Sequence, residues 1–414
     1  MNTQSRSLAP KNKKYSEILN TTIIIPITFI IIIFLPSFLY KYAEASSMQF
    51  GNMMTVLLCI IIATKYNNKL YLKKNNAFYI VLFIFIVFTI SLISYIENSN
   101  FIFFRFYFTF LYLIFFIIGA FMFSRLITKI NEKIFNKTID FIFYILLIDG
   151  LFTTFKYYVN EGSRSLLLFN EPSHYALTFL PMLLYQLLKH RENKPRLFLL
   201  VSLSLLIVII LKNLTLFVGL IFAMIIIYNK KTILFTIVML LLAVILFYSE
   251  LSYFTNRLDF SSANDNFSVL VFLSGWERAY LNLQDTMGLG VGLNQLGYVG
   301  QPGDYMLRIY SLLSIYLNFN DGGTTASKFI SEFGLFAVIL ILIFLRNVIK
   351  YVIRLRNKNN LFSSFELFFY SIYIMMMIEL FVRGIGYFTG TIFLLLSGIF
   401  YFQNQRSTKN ACIN

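Results

Sequence analysis

The stretch Asn170-Glu171-Pro172-Ser173-His174-Tyr175-Ala176 runs straight into an apolar segment that continues to Leu188. Proline suits the first position of a helix, where its missing N–H would have no intrahelical partner. Glu171 is then the capping residue, and the run to Leu188 carries the helix into a bilayer. Unpaired N–H groups and the positive end of the macrodipole make such a terminus favourable for a carboxylate or a bound anion. Glu171 and His174 are three apart and share a helix face. The sequence therefore places a carboxylate and an imidazole where a membrane helix meets water, and this corner reads as an active site.

Composition sets the solvent. Of 414 residues, 58% are hydrophobic and 13% charged, with 48 Phe and 27 Tyr. A soluble domain carries about 25% charged residues. The expected class is all-α, a polytopic integral membrane protein forming a single membrane domain over 1–414. A span needs roughly 20 apolar residues. Twelve candidates lie near 18–40, 49–64, 77–96, 101–124, 138–159, 172–188, 197–211, 213–228, 232–249, 328–345, 361–382 and 387–402. The seventh and eighth are short and divided only by Lys212-Asn213. The first run is too long for the apolar part of a signal peptide and is expected to remain as a span.

The positive-inside rule fixes the expected register. With the N-terminus cytoplasmic, the clusters at 6–14, 65–74, 125–137, 189–196, 230–231, 346–358 and 406–409 hold 25 of the 35 basic residues. Both termini are then cytoplasmic. A net charge of +16 spread in this way belongs to a membrane topology and does not call for nucleic acid. Two opposite-side loops are large enough for chemistry, 160–171 and the longer, glycine-rich 250–327. Amphipathic pieces at 277–284 and 306–317 read as short helices along the membrane surface.

The other ten basic residues are Lys41, Arg105, Lys156, Arg164, Lys212, Arg257, Arg278, Arg308, Lys328 and Arg383, six of them arginine. Any one of them can snorkel to headgroups or pair with a carboxylate. Gathered around two loops, they suggest an anionic ligand, because the planar guanidinium fork matches phosphate oxygens. Arg383 sits in a tight turn beside Gly384 and Gly386, which permit close backbone approach. Arg278 follows Glu277 and can equally pair with it. Glu332, Asp149 and Glu379 are ionisable residues within apolar runs and are candidates on that ground alone. His174 can be an ordinary hydrogen-bonding residue or a base near neutral pH, whereas His190 falls among solvated inner charges. Cys59 and Cys412 fit neither a disulfide framework nor a metal site. No DxD, HExxH, CxxC or Walker-type sequence occurs, so no metal or cofactor is expected.

Residues 170–176 resemble the Glu-Pro-Ser signature of bacterial O-antigen polymerases of the Wzy type, a family related to the O-antigen ligases. The segment SGWERAYLNLQDTMGLGVGLNQLGY at 274–298 is similar to a stretch of that family's large periplasmic loop, and FVRGIGYF at 381–388 to its last outer turn. The three segments cover under a tenth of the chain but occur in the family's order. The resemblance implies an inner-membrane glycosyltransferase, metal-independent and usually inverting, with a fold like that of the lipid-linked-sugar (GT-C) enzymes and its site on the periplasmic face. Its substrate would be an undecaprenyl-diphosphate-linked oligosaccharide, polymerised by moving the growing chain onto a new lipid-linked repeat unit. Membrane lipids are expected around it, and a chain-length regulator would be a further partner.

The chemistry asks for a base at the acceptor hydroxyl, supplied by Glu171 or His174, and for cations at the departing diphosphate. Arg278 is assigned with them to catalysis. Arg164, Ser173, Glu277, Gly290, Gly292, Asn294, Arg308, Glu332, Arg383 and Tyr387 are assigned to diphosphate and glycan binding. Two other readings keep the topology: a ligase transferring the glycan to lipid A-core, and a transporter or flippase. Transporters, however, tend to show related halves with midplane sites.

Overall fold

The computed structural model describes residues 9–45, 47–66, 74–159, 166–227, 251–261, 264–357 and 360–411. Among them the regular structure is helical throughout: α1 (Ala9–Tyr42), α2 (Met48–Tyr66), α3 (Lys74–Glu97), α4 (Phe103–Ile127), α5 (Glu132–Val159), α6 (Pro172–Lys189), α7 (Lys194–Leu211), α8 (Leu214–Ile227), α9 (Leu251–Leu258), α10 (Phe267–Asp285), α11 (Asp304–Leu313), α12 (Thr325–Arg356), α13 (Ser364–Phe381) and α14 (Gly390–Ala411). Eight of these, α1 to α5, α7, α12 and α13, are long and apolar enough to cross a membrane. The chain is a polytopic helical membrane protein. Of the other four expected spans, three are the helices α6, α8 and α14, with α8 only 14 residues long. The ninth, 232–249, lies outside the described residues.

The packing separates a central pair from a lipid-facing rim. Every residue of α6 from His174 to Leu188 except Thr178 is buried, and so is every residue of α13 from Phe368 to Leu380 except Met377. These two helices lie along each other. A helix that is apolar all round belongs in the middle of a bundle. At the rim, Phe78, Tyr79, Phe85, Phe104 and Phe108 are more than 60% exposed. Such a surface would aggregate in water and is ordinary against acyl chains.

One end of the bundle is tied by basic residues. Lys189 pairs with Asp140 at 2.7 Å, Arg191 donates to the Leu355 carbonyl, Arg356 to that of Ile225, and the Ser364 N–H to Glu132. The starts or ends of α5, α6, α8, α12 and α13 therefore meet at the same face. The turns α5–α6, α7–α8 and α13–α14 gather at the other.

At that second end α12 is broken. Gly334 adopts φ 54°, ψ −134° and splits the helix. In an unbroken helix the Leu335 N–H would bond the Ser331 carbonyl, and the Glu332 carbonyl would take the N–H four residues on. The 288–292 loop offers partners to the Ser331 and Glu332 carbonyls and to the Leu335 N–H. Val291 N–H donates to Ser331 O at 3.0 Å, Gly292 N–H to Glu332 O at 2.9 Å, and Leu335 N–H to Gly288 O at 2.8 Å. Gly290 and Gly292 have φ near +90°, and a Cβ on Gly290 would stand 2.6 Å from the Glu332 backbone. A Cβ on Gly334 would lie 1.9 Å from Gly288 O. Gly334→Ala is expected to expel the loop, combining that clash with about 1–3 kcal/mol of backbone strain. The thermal midpoint of the purified protein in detergent should fall by about 5 °C or more. An unchanged midpoint would refute this account of the break.

Candidate functional site

Glu171 is the N-cap residue of α6, with Pro172 at the first helical position. Its carboxylate makes no capping hydrogen bond. Instead Oε2 accepts from Ser173 Oγ at 3.0 Å and faces His174 Nε2 at 3.7 Å and Arg383 Nη2 at 3.8 Å. Carboxylate and guanidinium remain partly exposed, whereas His174 is 7% exposed.

Two supports hold this corner. The strap at 166–169, just ahead of Glu171, is gripped from both sides. Asp149 of α5, itself buried, accepts from Leu167 N–H at 2.7 Å and Leu168 N–H at 3.2 Å. Lys41 at the end of α1 donates to the carbonyls of Leu166, Leu167 and Phe169. Asp149 is thus explained by two amide donors and a nearby ammonium. The second support carries Arg383. Gly384 N–H donates to Gly323 O at 3.1 Å, and a Cβ on Gly384 would fall 2.2 Å from Thr325 N. The glycine admits the backbone of a neighbouring turn, where the sequence suggested a ligand.

Glu171 and Arg383 open onto a cavity of about 570 Å³. Ser173, Lys212, Arg257 and Asn318 share its wall, with Tyr253, Phe272 and Phe381 on the apolar side. Lys212, in the left-handed conformation (φ 47°), caps α7 at the α7–α8 turn, and the Arg257 guanidinium lies 4.4 Å from the Tyr253 ring centroid. A second cavity of about 360 Å³ lies between α3, α4, α12, α13 and α14, lined by Phe83, Leu113, Phe329, Phe333, Tyr387 and Leu395. The segments 323–325 and 380–383 stand between the two, with Gly323, Phe381, Val382 and Arg383 lining the first and Thr325 and Leu380 the second.

The other expected site residues lie elsewhere. Arg278 is 1% exposed and absent from the cavity wall, with Nη1 on the Phe319 carbonyl at 2.6 Å and the guanidinium 4.4 Å from the Phe319 ring. Burial pulls it down to about 10, still a cation at neutral pH. In the structure it braces the 317–321 loop through Phe319. Glu277 accepts the Asp304 and Tyr305 N–H groups and so terminates α11, as favoured at a helix N-terminus. Arg308 pairs with Asp265 at 2.6 Å. Gly290 and Gly292 fit the α12 break. Glu332, fully buried, accepts from Asn294 N–H at 2.7 Å, Leu296 N–H at 3.4 Å and Tyr387 Oη at 2.8 Å. Glu277, Arg308, Gly290, Gly292, Asn294, Glu332 and Tyr387 thus make contacts within the chain and stand outside the wall of the 570 Å³ cavity. Arg164 lies outside the described residues.

Lys212 and Arg257 are site cations that the sequence did not single out. Each was one basic residue among ten, at a span boundary or in the long 250–327 loop. Only the shared side of their turns could have joined them to Glu171. Among the described residues no three His, Cys, Asp or Glu side chains come together as a metal site would need. Comparison with protein-family models, curated proteins and solved structures finds no match to this chain.

The strap yields a direct test. In Asp149→Leu the amides of Leu167 and Leu168 lose a charged acceptor, a bond of about 1.5–3 kcal/mol. Their hydrogen–deuterium exchange should quicken by about tenfold or more. Exchange unchanged at both amides would show that Asp149 does not hold the strap.

Proposed function

We propose that this chain is a membrane glycosyltransferase that lengthens a surface polysaccharide, an O-antigen or similar polymer, from glycans carried on undecaprenyl diphosphate. One observation carries the reading: the Glu171 carboxylate and three cations, Lys212, Arg257 and Arg383, from four separate stretches of chain, line one 570 Å³ cavity at the end of a helical bundle, with His174 Nε2 3.7 Å from that carboxylate. An apolar cavity adjoins it. An amphiphile with a charged head and a hydrocarbon tail suits that pairing.

The reaction follows from the chemistry of the head. The acceptor sugar's hydroxyl attacks the anomeric carbon of the donor glycan from the face opposite the diphosphate, inverting the centre. The new C–O bond forms as the bond to the phosphate oxygen breaks, through an oxocarbenium-like transition state. The hydroxyl proton passes to Glu171 or His174, then to water in the cavity, and the diphosphate leaves with the electron pair. Arg383, Arg257 and Lys212 meet the charge that develops on it. Fixed cations in a partly desolvated site stabilise such charge without reorganising. Ser173 and Arg383 hold the Glu171 carboxylate in place through its Oε2.

The finer topology belongs to the same reading: twelve spans, a GT-C-like arrangement, both termini cytoplasmic and the site on the periplasmic face of the inner membrane. The basic end of the bundle supports that orientation.

Purified protein in proteoliposomes, given an undecaprenyl-diphosphate-linked repeat unit as its sole substrate, should build a ladder of longer lipid-linked glycans on a gel. Glu171→Gln, Arg383→Ala, Arg257→Ala and Lys212→Ala should each slow elongation by about 10²–10³-fold. Transfer that requires added lipid A-core would make the protein a ligase. Normal elongation by all four variants would overturn the site.

A further inference from the structure

His174 presents Nε2 to Glu171, 3.7 Å from its Oε2, and the residue stands outside the wall of the main cavity. Its Nδ1 is buried and has no hydrogen-bond partner among the described residues. The ring borders a small chamber of about 30 Å³ between α1, α2, α6 and the α13–α14 turn. The polar side chains in its wall are Asn52, His174, Thr178, Thr389 and Thr391. That volume admits one water, which is stable where it finds two to four polar partners. Behind the two threonines of the turn lies Glu379, 1% exposed and without an ion pair among the described residues. It accepts from Thr389 Oγ1 at 2.7 Å through one oxygen and from Thr391 Oγ1 through the other.

Donor accounting gives the chamber a direction. Each hydroxyl has one hydrogen to give. Thr389 and Thr391 give theirs to Glu379, and Thr178 gives its own to the His174 carbonyl at 3.0 Å. The Asn52 amide nitrogen donates one of its two hydrogens to Met48 O. Every hydroxyl facing the chamber is therefore an acceptor. A water that gives both hydrogens to these hydroxyls has only lone pairs left, one for the imidazole and one for the second Asn52 N–H.

We infer that Glu379 is a positioning residue for His174: through Thr389, Thr391 and one water it holds the neutral imidazole as the Nδ1–H tautomer, which leaves the Nε2 lone pair beside Glu171 as the proton acceptor. The chain runs Nδ1–H to water, water to a threonine hydroxyl, and hydroxyl to carboxylate. A carboxylate that orients a histidine through its second nitrogen is a recurring way to fix a base. Nε2 and Glu171 Oε2, 3.7 Å apart, are then two acceptors converging on one point, which suits a bound hydroxyl. This inference rests on the transferase reading only for the identity of that hydroxyl. The charged groups facing the ring directly are Glu171, Arg383 and Asp321.

The chain has two histidines, so the test can be read without turnover. Protein labelled with ¹⁵N in both histidine rings is studied by NMR in detergent above the titration of His174. His190, at the opposite end of the bundle, serves as the control for folding. In the unaltered protein Nδ1 of His174 should carry the proton and Nε2 should not. Glu379→Gln should change the tautomer ratio by about tenfold or more, and the double variant Thr389→Val, Thr391→Val should do the same, with the His190 signals unmoved. An Nε2–H tautomer in the unaltered protein, or a ratio unchanged in both variants, overturns the assignment. In the elongation assay Glu379→Gln should lower kcat by about tenfold or more with KM unchanged. Failure of the unaltered protein to elongate any glycan would sink the transferase reading while leaving the tautomer result standing.

Discussion

A backbone break inside an apolar bundle has to be repaired by protein, because lipid offers no hydrogen bonds. The break at Gly334 is the constraint on which this end of the molecule depends. Two carbonyls and an amide lose their helical partners there, and the 288–292 loop returns each one. The loop is itself satisfied from α3 and α4: Ser94 donates to Val291 O, Leu293 N–H donates to Ser91, and Arg105 donates to Asn294. The Glu332 side chain then takes the amides of Asn294 and Leu296 and the Tyr387 hydroxyl. Through this one carboxylate the plug in α12 is linked to the turn that carries Arg383.

That linkage explains how a charged pair can sit reproducibly at the mouth of a cavity. Arg383 belongs to a turn fixed at both of its ends, by Gly384 on Gly323 and by Tyr387 on Glu332. Glu171 belongs to a helix start fixed by the strap that Asp149 and Lys41 grip. Neither side chain is committed to backbone repair, so both keep polar atoms for the cavity. The position of each is set by groups several residues away.

Much of this was legible from residue type and spacing. The alternation of apolar runs with basic clusters gave the bundle and its two ends, and Pro172 gave the start of α6. Grouping Glu171, Ser173, His174 and Arg383 on one side needed only the parity of the turns. The glycines misled, because a positive-φ glycine looks the same whether its neighbour is a sugar, a phosphate or another stretch of chain. Gly290 and Gly292 read as a ligand loop, yet the acceptor they approach is the broken helix α12. Nothing in residues 328–345 marks Gly334 as a break and not a tolerated helical glycine. Glu332 is ambiguous for the same reason: an ionisable group in an apolar run signals a demand for partners, and an interrupted backbone supplies that demand as well as a substrate does.

The cations divide along this line. Arg105 donates to Asn294 O, Arg278 to Phe319 O, Lys328 to Asn320 O and Lys41 to the carbonyls of the 166–169 strap. All four reach carbonyls in irregular chain near the membrane boundary, where water is scarce and an unmet acceptor is costly. A long basic side chain is an efficient repair, since it brings several donors from a distant helix and keeps its charge. A surplus of arginine at this end is therefore weak evidence for an anionic ligand when counted from the sequence. The count means more for residues that line open volume beside the Glu171–His174 pair, and among the described residues that condition selects Arg383, Arg257 and Lys212.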